Sequence, residues 1–151
     1  MKLSKCKFRL AAVKFLGHRV TADGIKVNPE MISTIQYWPL PQCVTQMRSF
    51  LGLASYYRHF IENFGKIAAP LTKMLENNRP LVWDDDAKNA FSELRTRLAN
   101  ALILTYKDFS VPFLLDFDSL DKGIGAVLSQ IGKDQLEHPI AYFSSTLGKY
   151  K

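Results

Sequence analysis

Asp116, Asp118 and Asp121 are the residues whose type and spacing best suit them to chemistry. The first two close an apolar run that opens at Phe113. The third precedes glycines at 123 and 125 and a second apolar run ending near Leu128. This pattern reads as a strand, a tight turn and a returning strand, with carboxylates at the strand edge where a divalent metal could be held. The only other acidic run is Asp84-Asp85-Asp86. It follows Trp83 and precedes apolar residues at helical spacing, so it reads as a helix cap plus first-turn charge that suits the helix dipole.

The elements that must position these carboxylates fall into three blocks. Residues 6–27 alternate apolar and polar, with Asp23-Gly24 as a hairpin-turn signal. Asn28-Pro29 then supplies a cap and a first-turn proline for a short helix that Pro39 and Pro41 end. Thr45 is the expected cap of a longer helix reaching about Phe64. A third helix is expected over roughly Ile67–Leu75, and Asp84 caps a fourth. From Leu102 onward the pattern turns to strands, at 102–105, 113–118, 124–130 and 139–144.

Charge is unevenly spread. The 151-residue chain carries a net +6. Residues 1–27 hold seven Lys or Arg against Asp23 alone, whereas residues 102–151 hold five Lys against six Asp or Glu. A basic first half suits a polyanion, and an acidic end suits a metal. A solvated basic surface is the competing reading. With 47% hydrophobic and 23% charged residues the chain is globular in class. No apolar segment approaches the roughly 18 residues that cross a bilayer, and no secretory signal opens the chain. The expectation is an intracellular protein, cytoplasmic or nuclear, without a membrane partner. Cys6 and Cys43 are expected to be free thiols.

On a helical wheel the 45–64 segment gathers Met47, Phe50, Leu51, Ala54, Tyr57 and Phe60 on one half, with Arg48, Gly52, Ser55, His59 and Glu62 opposite. Small residues beside Arg48 and His59 would let a phosphate backbone come close. An ordinary solvated face fits the same pattern. Arg58 falls within the apolar arc and is expected to pack its stem and pair its head.

Several motifs carry a family resemblance. Lys5-Cys6-Lys7-Phe8, Phe15-Leu16-Gly17-His18, Asp23-Gly24-Ile25 and Asn28-Pro29 resemble the segment after the palm active site of gypsy-class LTR retrotransposon reverse transcriptases. Trp38-Pro39, the run from Arg48 to Arg58 and Phe60-Ile61 resemble the thumb of those enzymes, and Ala69-Pro70-Leu71, Trp83 and Ala90-Phe91 their connecting region. Asp118, the run 121–130 and His138-Pro139-Ile140-Ala141-Tyr142 resemble the start of the tethered RNase H domain. Phe117 and Leu120 depart from the family's Thr-Asp-Ala-Ser.

The resemblance implies an α+β chain: an N-terminal β-hairpin, a helical thumb bundle, then the incomplete antiparallel start of an RNase H-like α/β domain. The boundaries it implies are 1–27 for a primer-grip-like hairpin, 28–80 for the thumb and 81–151 for the connection and truncated RNase H-like part. Asp118 is implied as the first RNase H carboxylate, and Asp118 with Asp121 as an incomplete metal site. Mg²⁺ serves the parent family, and no tight binding is expected here. The family's Tyr-x-Asp-Asp turn is absent from the sequence. The implied partners are a template–primer duplex, RNA–DNA or DNA, read without sequence preference, and the remainder of the Pol polyprotein. Candidate phosphate contacts are Lys14, His18, Arg19 and Lys26 on the hairpin, and Arg48, Ser55 and His59 on the helix. His18 has a second reading, as a hydrogen-bonded residue of the hairpin. The leading expectation is a fragment of a reverse transcriptase–RNase H polyprotein, inactive alone. A co-opted non-enzymatic binding module is the alternative, and a free-standing nuclease is disfavoured by its few carboxylates.

Overall fold

The computed structural model describes residues 10–76, 81–101, 103–120 and 123–146. Three short strands open it: β1 (Ala12–Phe15), β2 (His18–Thr21) and β3 (Gly24–Val27), antiparallel in the order β1-β2-β3. Leu16 and Gly17 form the β1–β2 turn, with φ of 46° and 75°. Positive φ at both central residues is what a two-residue hairpin loop requires. Leucine adopts it at a cost of roughly 1–2 kcal/mol.

Helix α1 (Pro29–Gln36) starts as its sequence foretells, with the Asn28 side chain accepting from the Glu30 amide. Helix α2 (Val44–Tyr56) differs from expectation at both ends. Its cap position is Cys43 rather than Thr45, and no side chain of that residue caps it. Instead Gln46 reaches back to accept from the Gln42 amide at 2.7 Å, which serves the helix start from inside its first turn. At the other end the expected 45–64 helix breaks after Tyr56. Arg58–Phe60 form a 3₁₀ turn, Ile61 is extended and Asn63 is left-handed at φ 55° before α3 (Phe64–Met74) begins. The apolar spacing concealed this break, because the tighter turn keeps Phe60, Ile61 and Phe64 buried. It also turns Arg58 out to solvent. The arginine expected to be packed and paired has no ion-pair partner among the described residues.

Helix α4 (Asp85–Ala99) is capped by Asp84, whose Oδ1 accepts from the Ala87 amide at 2.8 Å. Asp85 and Asp86 occupy its first turn, so the acidic run is structural. Its apolar stripe closes on α2, with the Phe50 and Phe91 ring centroids 4.6 Å apart. Arg95 ties it to α1 by donating to the Gln36 carbonyl.

Strands β4 (Leu114–Leu120), β5 (Gly123–Ile131) and β6 (Glu137–Thr146) make a second antiparallel sheet in that order. Leu128 pairs with Ala141 and Ser129 with Pro139, so Ile140 is an extra residue, a bulge on the edge strand. Pro139 suits that edge, where a ladder donor is dispensable. Beyond the sheet edge, the Thr105 amide donates to the Pro139 carbonyl at 2.9 Å, and His59 Nδ1 meets the Tyr142 carbonyl at 3.1 Å. The far face of the sheet carries Leu115, Phe117, Ile124 and Phe143, all exposed.

The strand expected at 102–105 is reduced to one bridge. Ile25 and Leu104 exchange both backbone bonds, at 2.8 and 3.0 Å. Thr105 then turns to the other sheet, so the segment straps two sheets together instead of extending either. Leu102 lies outside the described residues. Gly24 makes the bridge possible: its φ is 143°, and a Cβ there would stand 2.3 Å from the Leu104 carbonyl oxygen. Gly24→Ala should therefore destabilise the chain by more than about 1 kcal/mol. Urea unfolding would measure it, with amide exchange showing lost protection at Ile25. An unchanged midpoint would contradict the bridge.

Candidate nucleic-acid interface

The antiparallel register places Lys14 directly opposite Arg19, and Arg19 directly opposite Lys26. Residues facing one another across a ladder share a face, and alternation sends their neighbours to the other. Three of the four expected hairpin contacts therefore form one cationic row across the sheet. Val13, Val20 and Ile25 line the opposite face, with Val27 buried beside them. Like charges directly across a ladder oppose each other, so a polyanion laid along the row relieves a repulsion that the fold itself maintains.

One carboxylate already bears on the row. The Lys14 ammonium pairs with Glu30 in the first turn of α1. Hydrogen bonding from that ammonium holds the Glu30 carboxyl below its ordinary range, helped by Asn28. Arg19 and Lys26 have no ion pair among the described residues. Glu30 is a residue that sequence reasoning missed. Its position after Asn28-Pro29 marks it only as a favourable first-turn charge.

His18 belongs to neither of the readings proposed for it. It sits on the apolar face of the hairpin, stacked on Tyr56 at 5.4 Å and Phe60 at 5.6 Å between centroids, with Tyr57 edge-on at 5.5 Å. Its Nδ1 is buried and has no hydrogen-bond partner among the described residues. Burial lowers its pKa, since a charged ring there would lose water and gain no acceptor.

Tyr56 and Tyr57 were also missed as functional residues. Their hydroxyls donate to the successive carbonyls of Leu16 and Gly17, the second at 2.8 Å. A buried tyrosine hydroxyl demands a partner, but the sequence does not say which. Gly17 answers both needs of the turn. Its positive φ suits glycine, and a Cβ would stand 2.9 Å from the Tyr57 hydroxyl.

The helix candidates separate. Arg48 and Ser55 remain on α2, a spacing of about two turns that keeps them on one face. Gly52 lies between them with open space around it. His59 is on the 3₁₀ turn, and because its Nδ1 meets a carbonyl oxygen that nitrogen must carry the proton. It is a strut to β6 and does not continue the Arg48–Ser55 face.

Asp116 and Asp118 stand two apart on β4, so they share a face, and both are exposed. Asp121 lies outside the described residues. Glu137 is at the opposite end of the sheet, accepting from the Ser129 hydroxyl at 2.5 Å. Among the described residues no three His, Cys, Asp or Glu side chains come together. The described donors do not by themselves fit a two-metal centre, which needs several converging oxygens.

Residues 83–151 match the RNase H-like domain found in reverse transcriptase. Over 95% of its length the chain is 43% identical to the retrovirus-related Pol polyprotein from transposon gypsy of Drosophila melanogaster. The chain belongs to the retroelement Pol polyprotein family. It is also 38% identical, over 99% of its length, to the Pol polyprotein from transposon opus of the same fly. A more distant relative, the transposon Tf2-3 polyprotein of Schizosaccharomyces pombe, is 31% identical. The chain spans 14% of the gypsy polyprotein and 16% of opus. Among solved structures it resembles the foamy viral protease-reverse transcriptase, at 25% identity in each case. The TM-score is 0.77 to a form in complex with double-stranded DNA and 0.76 to the complex with RNA/DNA hybrid. This chain is covered to 91% and 92%, and those chains to 24% and 19%. The α+β class is thus shared with the matching region of the foamy viral protein. Among the described residues, no helix is long and apolar enough to cross a membrane.

Two titrations check the site. In NMR, replacing Lys14 by Met should return the Glu30 carboxyl upward toward its ordinary range. The His18 ring should titrate below the ordinary histidine value of 6.5. A pKa depressed on folding means that the neutral ring favours the fold. Its contribution is complete above the unfolded value and is lost as pH falls through the folded one. A His18 midpoint above 6.5 would contradict the aromatic sandwich.

Proposed function

We propose that this chain is the part of a reverse transcriptase–RNase H polyprotein that seats the template–primer duplex, and that alone it neither polymerises nor cleaves. The observation that carries the proposal is the Lys14–Arg19–Lys26 row. Cations in register on one sheet face meet phosphates without reading bases. Arg48 and Ser55 on α2 are proposed as further backbone contacts, beside a glycine that admits close approach. The foamy viral relatives bind double-stranded DNA and an RNA/DNA hybrid, which supports a duplex as the ligand here. Within the proposal, residues 1–27 are the primer-grip-like hairpin, 28–80 the thumb and 81–151 the connection and the start of the RNase H-like part. Asp118 is proposed as a vestigial first carboxylate of that part, which serves Mg²⁺ in the parent family. A single such ligand here does not assemble a centre.

Fluorescence anisotropy with labelled DNA and RNA–DNA duplexes tests the seating. Affinity should fall linearly, on logarithmic axes, as salt rises, and should be equal for unrelated base sequences. Arg19→Ala and Lys26→Ala should each reduce the slope by about 0.9. Glu30→Gln should tighten binding by freeing the Lys14 ammonium. A slope indifferent to Arg19 and Lys26, or a preference among base sequences, would refute the row as the binding surface.

Inactivity is checked separately. The pure chain with Mg²⁺ should leave an RNA–DNA hybrid intact, and Asp118→Asn should change nothing. Hybrid degradation abolished by that substitution would overturn the proposal.

A further inference from the structure

We infer that Tyr56, Tyr57 and His18 are positioning residues of the duplex grip: they clamp the hairpin turn to the end of α2, fix the aspect of the Lys14–Arg19–Lys26 row, and release it when His18 takes up a proton. This inference rests on the duplex-seating reading above and adds a regulation to it.

The bonding at the turn exceeds what burial demands. Tyr57 is buried and needs one acceptor, which the Gly17 carbonyl supplies at 2.8 Å. Tyr56 is 49% exposed, so water could satisfy its hydroxyl, yet it donates to the Leu16 carbonyl. The Gly17 carbonyl accepts again from the Asn28 amide at 3.2 Å. Three donors from α2 and the start of α1 thus converge on two peptide units. Those units are the turn between the strands that carry Lys14 and Arg19, one residue removed from each. The left-handed leucine at 16 is a conformation that persists only where surroundings over-determine it.

His18 is the titratable member of the clamp. Tyr56 and Tyr57 face it from α2 and Phe60 from the 3₁₀ turn, while Phe15 and Val27 flank it in the ladder. Arg58 and His59, on the same turn as Phe60, are exposed. Lys14, Arg19 and Lys26 lie on the other face of the sheet, and among the described residues no carboxylate bears on the ring to welcome a charge. Nδ1 already lacks a partner, and burial alone lowers the pKa. A proton on this ring would draw it out toward water, and the stack on Tyr56 and Phe60 would go with it.

The consequence has an unusual sign. Histidine that touches phosphate binds more tightly when protonated, whereas this one should weaken the grip. The full chain with a labelled DNA duplex at fixed ionic strength, read by anisotropy at about pH 7.5 and about pH 5.5, tests it. Wild-type affinity should fall by roughly threefold to tenfold on acidification. His18→Phe keeps the stack without the titration and should hold constant. Tyr57→Phe should bind more weakly at both pH values with an unchanged salt slope, because no cation is lost. His59→Gln as a background removes the neighbouring histidine on the 3₁₀ turn, and far-UV circular dichroism confirms that each variant folds. Affinity that rises or stays level on acidification, or an unaltered fall in His18→Phe, overturns the clamp alone. Absence of salt-dependent binding at about pH 7.5 overturns the duplex-seating reading and the clamp together.

Discussion

Two adjacent tyrosine hydroxyls reach two adjacent carbonyls at the tip of a hairpin, and the geometry of the N-terminal half follows from that contact. A three-stranded sheet of four-residue strands needs a covered apolar face to be stable. It is ordered because its turn is held by the end of α2, its apolar face is closed by Phe60 and the two tyrosines, and its β3 edge is bridged by Leu104. The polar face carries the cations.

The same contact accounts for the end of α2. A helix continuing past Tyr56 would satisfy the apolar spacing equally well, but the chain turns there through Tyr57 and the 3₁₀ segment. The turn sets His59 against the Tyr142 carbonyl and begins α3 at Phe64, so that the helices and the second sheet form one body. The break in the helix is what lets the helices and the second sheet meet.

Much of this was legible in the residues. Asn28-Pro29 and Asp84 mark their helix starts because capping is local chemistry, settled within four residues. The β4–β5 hairpin is legible because alternation and a turn occur together. The break at Tyr57 was hidden because periodicity reports which residues are buried and not whether the backbone between them is continuous. Lys14, Arg19 and Lys26 were legible as cations, but their alignment depends on a register set by the turn at Leu16-Gly17. Expectation had favoured Asp23-Gly24 alone as the hairpin signal. The surroundings of His18 were hidden for a related reason: they are set by aromatic residues that approach from some forty positions further along the chain.

The bridge between Ile25 and Leu104 also constrains how the molecule is made. Translation at about 5–20 residues per second delivers Leu104 several seconds after the hairpin has left the ribosome. Through that interval β3 has an open edge, and its neighbours are nascent helices still waiting for α4. The first sheet is therefore secured at its β3 edge only once α4 and the strap that follows it have been made.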